Sequence, residues 1–277
     1  MSDFELPGIA GRVALVTGGS RGIGAGIAHA LAIRGAKVVV AGRDRAALAR
    51  VVKDIRAKSG VAESAIAELT DEAAVGRLRR EAERAFGKVE LLVAGAGGGD
   101  AARPLTEEDT IRWRSTLDAN LTSAFLALKT FLPPMYEMRR GSVVTMASSA
   151  GRQLSGASIA YTAAKAGLLS LTRQAALDAA VHGVRVNAIA PSAIVTERLA
   201  ALPDEARRRI AAGFPLKRLG EVDDVAAGAL FLLSDAASWI TGVEKLEQVY
   251  EVIRRFPSHV LGLLKRDEIQ RLSETID

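Results

Sequence analysis

The stretch "VALVTGGSRGIG", Val13 to Gly24, decides the fold. An apolar run with the look of a buried strand passes directly into a turn with glycines at 18, 22 and 24, and "AGIAHALAIRG" then continues with helical character. Glycine permits the tight turn, lets the backbone approach a pyrophosphate and allows the helix to pack closely on the sheet, while the helix N-terminus offers free N–H groups to an anion. A glycine-rich turn alone also fits a plain tight connection. Its place, directly after the first buried strand and opening a helix, weighs towards dinucleotide binding.

Working outward, similar apolar runs recur at 37–41 ("KVVVA"), 90–94 ("ELLVA"), 142–147 ("SVVTMA") and 185–190 ("RVNAIA"), alternating with longer helical patterns. Runs of Val, Leu and Ala without polar alternation are buried on both faces, as in a parallel sheet between two helix layers. The expected fold class is α/β, a Rossmann-type doubly wound parallel sheet flanked by helices. Gly35, Gly87, Gly141 and Gly183 fall where helices should end and are expected as left-handed C-caps. Residues 1–242 read as one dinucleotide-binding and catalytic domain.

With 277 residues, 49% of them hydrophobic and 25% charged, the chain can bury a substantial core. It has no cysteine, which excludes disulfides and thiolate metal sites, and His29, His182 and His259 lie too far apart for a local metal motif. No metal is expected. The net charge of +5 suits an anionic cofactor or an acidic carrier, but Lys and Arg are scattered rather than gathered in a stripe with aromatics, which disfavours nucleic acid. The N-terminal "MSDFELPGIAGR" has no charged n-region followed by an apolar run, and no stretch holds about 18 uninterrupted apolar residues. The expectation is a cytoplasmic protein without a membrane partner.

Cofactor choice is read where the second strand ends, in "VVVAGRDR". An acid there would hydrogen-bond an adenosine ribose 2′-OH, whereas an arginine accommodates a 2′-phosphate. Gly42 is not acidic, Arg43 follows it, and Arg21 in the first turn adds a second cation. The pair favours NADP(H) over NAD(H), with Asp44 as the competing acid and plain solvated arginines as the bland alternative.

"YTAAK" places Tyr161 and Lys165 at i and i+4, on one helix face, where an ammonium would favour the phenolate and bring the phenol towards use near neutral pH. Thirteen residues upstream, Ser148 follows the strand "SVVTMA", at the strand end where open α/β sheets bind ligands. The ordered set "TGGSRGIG", Ser148, Tyr161 and Lys165, with Asn120 in "DANLTSAF", Asn187 in "VRVNAIAP" and the loop "PSAIVTERL", resembles the short-chain dehydrogenase/reductase family over roughly residues 7 to 242. It looks most like the 3-oxoacyl-[acyl-carrier-protein] reductase group.

That resemblance implies an NADPH-dependent reductase transferring hydride to a ketone or 3-oxoacyl carbonyl, reversibly. Tyr161 would be the general acid, Lys165 would lower its pKa and hold the nicotinamide ribose, Ser148 would hydrogen-bond the substrate oxygen, and Asn120 would fix a water linking Lys165 to solvent. Cofactor contacts are implied in the first turn at Gly18, Ser20, Arg21, Gly22, Ile23 and Gly24. Further contacts fall at Arg43, Glu68 and Leu69, then at Gly95, Ala96 and Gly97, and finally at Pro191, Ile194 and Thr196, with Asn120, Tyr161 and Lys165 also touching the cofactor. Three departures from the family pattern stand out: "AGAG" (Ala94 to Gly97) for the usual "NNAG", Glu68 for an aspartate, and Ser192 for the glycine after Pro191. The implied partners are a small-molecule carbonyl or alcohol, extending to an acyl-carrier-protein thioester, and further copies of the chain in a homotetramer or homodimer held by helices around 119–137 and 160–181. The alternative is a catalytically silent dinucleotide-binding protein with a regulatory or assembly role.

Residues 243–277 depart from the family's usual final strand. Leu246, Val249, Tyr250 and Ile253 follow i, i+3, i+4, i+7, and Pro257 breaks the pattern before a second stretch from about Leu261 to Ile276. The expectation is an atypical tail of two amphipathic helices, docked on its own or a neighbouring subunit, in place of the seventh strand.

Overall fold

The computed structural model describes residues 6–99 and 101–243. Six strands, β1 (Val13–Thr17), β2 (Lys37–Gly42), β3 (Val61–Ile66), β4 (Leu91–Ala94), β5 (Gly141–Met146) and β6 (Val184–Ile189), form one parallel sheet in the order β3-β2-β1-β4-β5-β6. This is the expected Rossmann-type sheet, and the strand order reverses between β1 and β4. That reversal opens a crevice at the carboxyl ends of the strands.

The continuous apolar runs are explained by what covers each face. Successive strand residues point to opposite sides, so Leu15, Val39, Leu92, Val143 and Val186 join one buried cluster, and Ala14, Val16, Val38, Val93 and Val144 join the other. On the first side pack α3 (Glu72–Phe86), α5 (Ser123–Met138) and α6 (Ile159–Ala180), through side chains such as Leu78, Phe131 and Leu168. On the second lie α1 (Gly22–Ile33), α2 (Arg45–Ala57) and α9 (Val222–Leu233), through Ile27, Leu48 and Leu230. Each fully buried Leu, Ile or Phe contributes roughly 1.5–3 kcal/mol, so a sheet apolar on both sides is stable only when both layers are present.

β3 does not read as an apolar run. It is an edge strand, with Ala62 and Ala65 buried while Glu63 and Ser64 face solvent, and Glu63 pairs with Arg56 of α2. Charge on an exposed edge discourages pairing with other chains, at the expense of the hydrophobic signal.

Of the four glycines expected as helix stops, Gly35, Gly87 and Gly183 have the left-handed backbone, with φ of 81°, 96° and 71°. Gly141 does not. After α5 the left-handed place is taken by Arg139, at φ 50°, and Gly141 opens β5 instead. Its lack of a side chain serves packing, since a Cβ there would lie 2.6 Å from Met135 Sδ.

Beyond Ile240, the Gly242 N–H donates to the Val186 carbonyl at 2.9 Å and the Val243 carbonyl accepts from the Ala188 N–H at 2.8 Å. The chain thereby enters the place of a further strand beside β6. The expected helical tail, including Leu246, Val249, Tyr250, Ile253 and Pro257, lies outside the described residues. Among the described residues, no helix is long and apolar enough to cross a membrane.

Candidate active site

The first wall of the crevice is the glycine turn. Gly18 and Gly22 adopt positive φ of 69° and 51°, and a Cβ on Gly18 would lie 2.6 Å from the Gly95 carbonyl oxygen. A Cβ on Gly24 would collide with the Gly18 carbonyl, so the helix and the turn meet backbone to backbone. Arg21 caps α1 without a side-chain hydrogen bond, and the first turn contains no acid. The N–H groups at that end are left uncommitted by side chains and have no carboxylate in that turn to repel an anion. These features fit a dinucleotide pyrophosphate. Ile23 packs partly buried on the same cluster as Ile194, and Thr196 Cγ2 would be 3.3 Å from a Cβ on Gly22, so the loop after β6 covers this turn.

The second wall follows β4. Its "AGAG" segment lacks the amides of the family pattern, and two other side chains supply the bracing. Thr17 Oγ1 accepts from the Gly95 N–H at 3.1 Å and donates to the Val93 carbonyl at 3.3 Å. Asn120, fully buried in a π-helical turn at Asp118–Thr122, accepts from the Gly98 N–H at 3.0 Å and donates to the Gly98 and Thr116 carbonyls, each at 2.9 Å. Gly97, at φ 139°, leaves room for the Asn120 carboxamide. Ala96 packs against the core between them. Removing three bonds to buried or half-buried backbone should be costly, so Asn120→Ala is expected to lose about 1–3 kcal/mol of stability. Urea unfolding that showed no loss would count against this bracing.

At the end of β2, Arg43 is exposed and lies 3.6 Å from Glu68, while Asp44 caps α2 by accepting from the Ala47 N–H at 3.0 Å. The competing acid is therefore committed to a helix start. Glu68 also accepts from the Thr70 hydroxyl at 2.8 Å, and this bond, more than the Arg43 charge, holds its carboxyl below the usual range. Leu69 turns its side chain into the core, so the crevice can meet only its main chain.

The third wall carries the titratable groups. Ser148 follows β5 in extended backbone and accepts from the Ala150 N–H at 3.2 Å. The Ser149 N–H donates to the Pro191 carbonyl at 3.0 Å, tying this turn to the loop after β6. Ser149 itself is buried. Ser192 is absent from the positive-φ residues, so the departure from glycine there introduces no left-handed strain. Ser158 caps α6 by accepting from the Tyr161 N–H at 3.4 Å, which places Tyr161 in the first turn of that helix. A Cβ on Gly151 would come within 2.6 Å of the Lys165 carbonyl carbon, so glycine lets the serine turn press against α6.

Ser148 lies close enough to Tyr161 for its hydroxyl to draw the phenol pKa down. Lys165 is fully buried, donates to the Met146 carbonyl at 2.7 Å, and has its Nζ 5.5 Å from the Tyr161 ring centroid. The expected depression of the phenol pKa by Lys165 is not found here. Burial raises Tyr161 above the ordinary 10, and the opposing pull comes from the Ser148 hydroxyl and the Arg198 charge. Burial also draws Lys165 down, to about 8. Arg198 stands within the loop "PSAIVTERL", but the loop pattern contains nothing that aims it at Tyr161.

Comparison with known proteins agrees with this geometry. The family model described as Enoyl-(Acyl carrier protein) reductase matches residues 18–246. The chain is 39% identical over 233 residues to cis-4-hydroxycyclohexanecarboxylate dehydrogenase of Sinomonas cyclohexanicum, covering 83% of this chain and 92% of the relative. It is 35% identical over 234 residues to the 3-oxoacyl-[acyl-carrier-protein] reductase of Escherichia coli (strain K12), covering 84% and 93%. Among solved structures, 7α-hydroxysteroid dehydrogenase complexed with NADH and 7-oxo glycochenodeoxycholic acid superposes with a TM-score of 0.81 at 33% identity, covering 86% of this chain and 94% of that one.

Proposed function

The chain belongs to the short-chain dehydrogenase/reductase family, and from that premise we propose that it is an NADPH-dependent reductase of a ketone or 3-oxoacyl carbonyl, with Tyr161 as the proton donor. Family membership makes it an oxidoreductase acting on alcohol and carbonyl groups, with NAD(P)(H) as the family's cofactor. The relatives, being dehydrogenases and reductases by name, do not favour a catalytically silent role. The observation that carries the reading is the partly buried Tyr161, beside Ser148 at the carboxyl end of β5, in the same crevice as a glycine cradle shaped for a pyrophosphate.

A bound nicotinamide supplies the hydride for carbonyl reduction and accepts it in alcohol oxidation. The chain's own groups do the rest. The turn at Gly18, Gly22 and Gly24 would hold the pyrophosphate, and the backbone at Gly95 to Gly97, Pro191, Ile194 and Thr196 would contact the rest of the cofactor. Ser148 steadies the substrate oxygen, and Tyr161, protonated throughout the neutral range because burial raises its pKa, gives a proton to that oxygen as negative charge develops on it. Lys165 keeps its positive charge below about pH 8, over the Tyr161 ring, and would hold the nicotinamide ribose. Asn120 holds the Gly98 loop. Since its carboxamide is already committed, any part in fixing a water falls to its main chain.

The preference for NADPH rests on Arg21 and Arg43. The Arg43–Glu68 pair is exposed at 3.6 Å and worth at most about 1 kcal/mol, so it would not hold Arg43 back from a 2′-phosphate. Arg43→Ala is expected to narrow the preference for NADPH over NADH by roughly 10- to 100-fold, as judged from hydrogen bonds to charged groups. Nicotinamide fluorescence titration reads this directly, and equal affinities for the two cofactors in the native protein would refute it. Exposed Phe125 on α5, with Leu177 and Val181 on or beside α6, supports self-association through these helices as a homodimer or homotetramer.

A further inference from the structure

Arg198 lies in α7 (Glu197–Ala200), on the loop after β6, and its Nη1 donates to the Gly99 carbonyl at 2.6 Å. Gly99 in turn lies against Tyr161. A Cβ at Gly99 would sit 3.4 Å from the phenol ring and 3.7 Å from Arg198 Nη1, so a single glycine separates the guanidinium from that ring. The Arg198 charge is felt at the phenol, drawing its pKa down against burial.

Three neighbouring cations of the same region are matched by carboxylates, while Lys217 donates to the Ala212 carbonyl. Arg207 pairs with Asp204, Arg209 with Glu205, and Arg218 with Asp224. Arg198 has no carboxylate partner among the described residues, and the adjacent Glu197 carboxylate lies beside Gly22, 3.7 Å from where its Cβ would be. Its one partner among the described residues is a neutral carbonyl. A guanidinium carries five N–H donors in a fork that matches a carboxylate, so most of its capacity remains open towards solvent at the mouth of the crevice.

Resting on the reductase reading above, we propose that Arg198 determines specificity: the substrate is a ketone or secondary alcohol that also bears a carboxylate, which pairs with Arg198 while the carbonyl oxygen meets Ser148 and Tyr161. A neutral ketone would leave the guanidinium solvated and gain nothing from it. A carboxylate there forms charge-assisted, bidentate hydrogen bonds and fixes which end of the substrate faces the phenol.

The test compares each ketone as free acid and methyl ester, with 4-oxocyclohexanecarboxylate and 4-oxopentanoate as the two pairs, by NADPH oxidation. The native protein is expected to favour acid over ester by about tenfold or more in kcat/KM, mostly through KM, as a bond to a charged group allows. In Arg198→Leu the acid-to-ester ratio should fall to near one, and in Arg198→Lys it should be intermediate. Using a ratio cancels any general effect of the substitution on Tyr161. Equal use of acid and ester by the native protein, or an unchanged ratio in Arg198→Leu, overturns the proposal and leaves the reductase reading standing. No oxidation with any acid, ester or simple ketone overturns both.

Discussion

Tyr161→Phe is expected to lower kcat for carbonyl reduction by about 100- to 10,000-fold, the range spanned by general acid catalysis, while leaving NADPH affinity within a few fold. The substitution removes one oxygen and little else. The ring keeps its place in the first turn of α6, because Ser158 caps the backbone N–H of residue 161 rather than the phenol. Lys165 keeps its own partner, the Met146 carbonyl. Ser148 is untouched and remains able to hydrogen-bond a substrate oxygen, so KM should change far less than kcat. Steady-state kinetics together with cofactor titration separates the two effects. Turnover within threefold of native would mean that the proton comes from elsewhere, and an absence of turnover in both proteins with all carbonyls would revive the silent dinucleotide-binding alternative.

How much of this was legible beforehand depended on whether a residue's role is local. The turn from Gly18 to Gly24 could be read because strand, turn and helix are contiguous, and the spacing of Ser148, Tyr161 and Lys165 is a property of one strand end and one helix. β3 was missed because this edge strand buries only Ala62 and Ala65 and places Glu63 and Ser64 between them, which erases the apolar run. Gly141 was misread for a related reason: a glycine near a helix end looks like a stop, whereas its contact with Met135 is tertiary. The bracing of "AGAG" by Thr17 and Asn120 joins residues 78 and 22 positions apart, and Arg198 meets Gly99 across 99. No periodicity reports such pairings. The Lys165 effect failed on energetics, not on geometry, because adjacency on a helix face says nothing about how burial shifts the two groups.

Lys165→Met is expected to cut turnover severely and, separately, to alter stability in a pH-dependent way. The native lysine titrates near 8 in the folded protein against an ordinary 10.5, because burial disfavours the ammonium. Below about pH 8 both folded and unfolded chains carry the proton, and the full penalty of burying the charge weighs on the folded state. Between 8 and 10.5 the unfolded chain binds the proton and the folded chain does not, so native stability rises with pH over that window. At about 1.4 kcal/mol per unit the penalty is on the order of 3 kcal/mol. Methionine removes the penalty but leaves the buried Met146 carbonyl without its donor, a loss of about 1–3 kcal/mol at every pH. The two terms nearly cancel at pH 7, where the variant should match or slightly exceed the native protein. By pH 10 most of the penalty has gone, only the lost hydrogen bond remains, and the native protein should be the more stable. Urea unfolding of both proteins at pH 7 and pH 10 measures the change, since groups common to both cancel in the difference. A shift of about 2–3 kcal/mol in favour of the native chain is the expected result. A difference that stayed constant over this range would show that Lys165 is not a depressed, buried base.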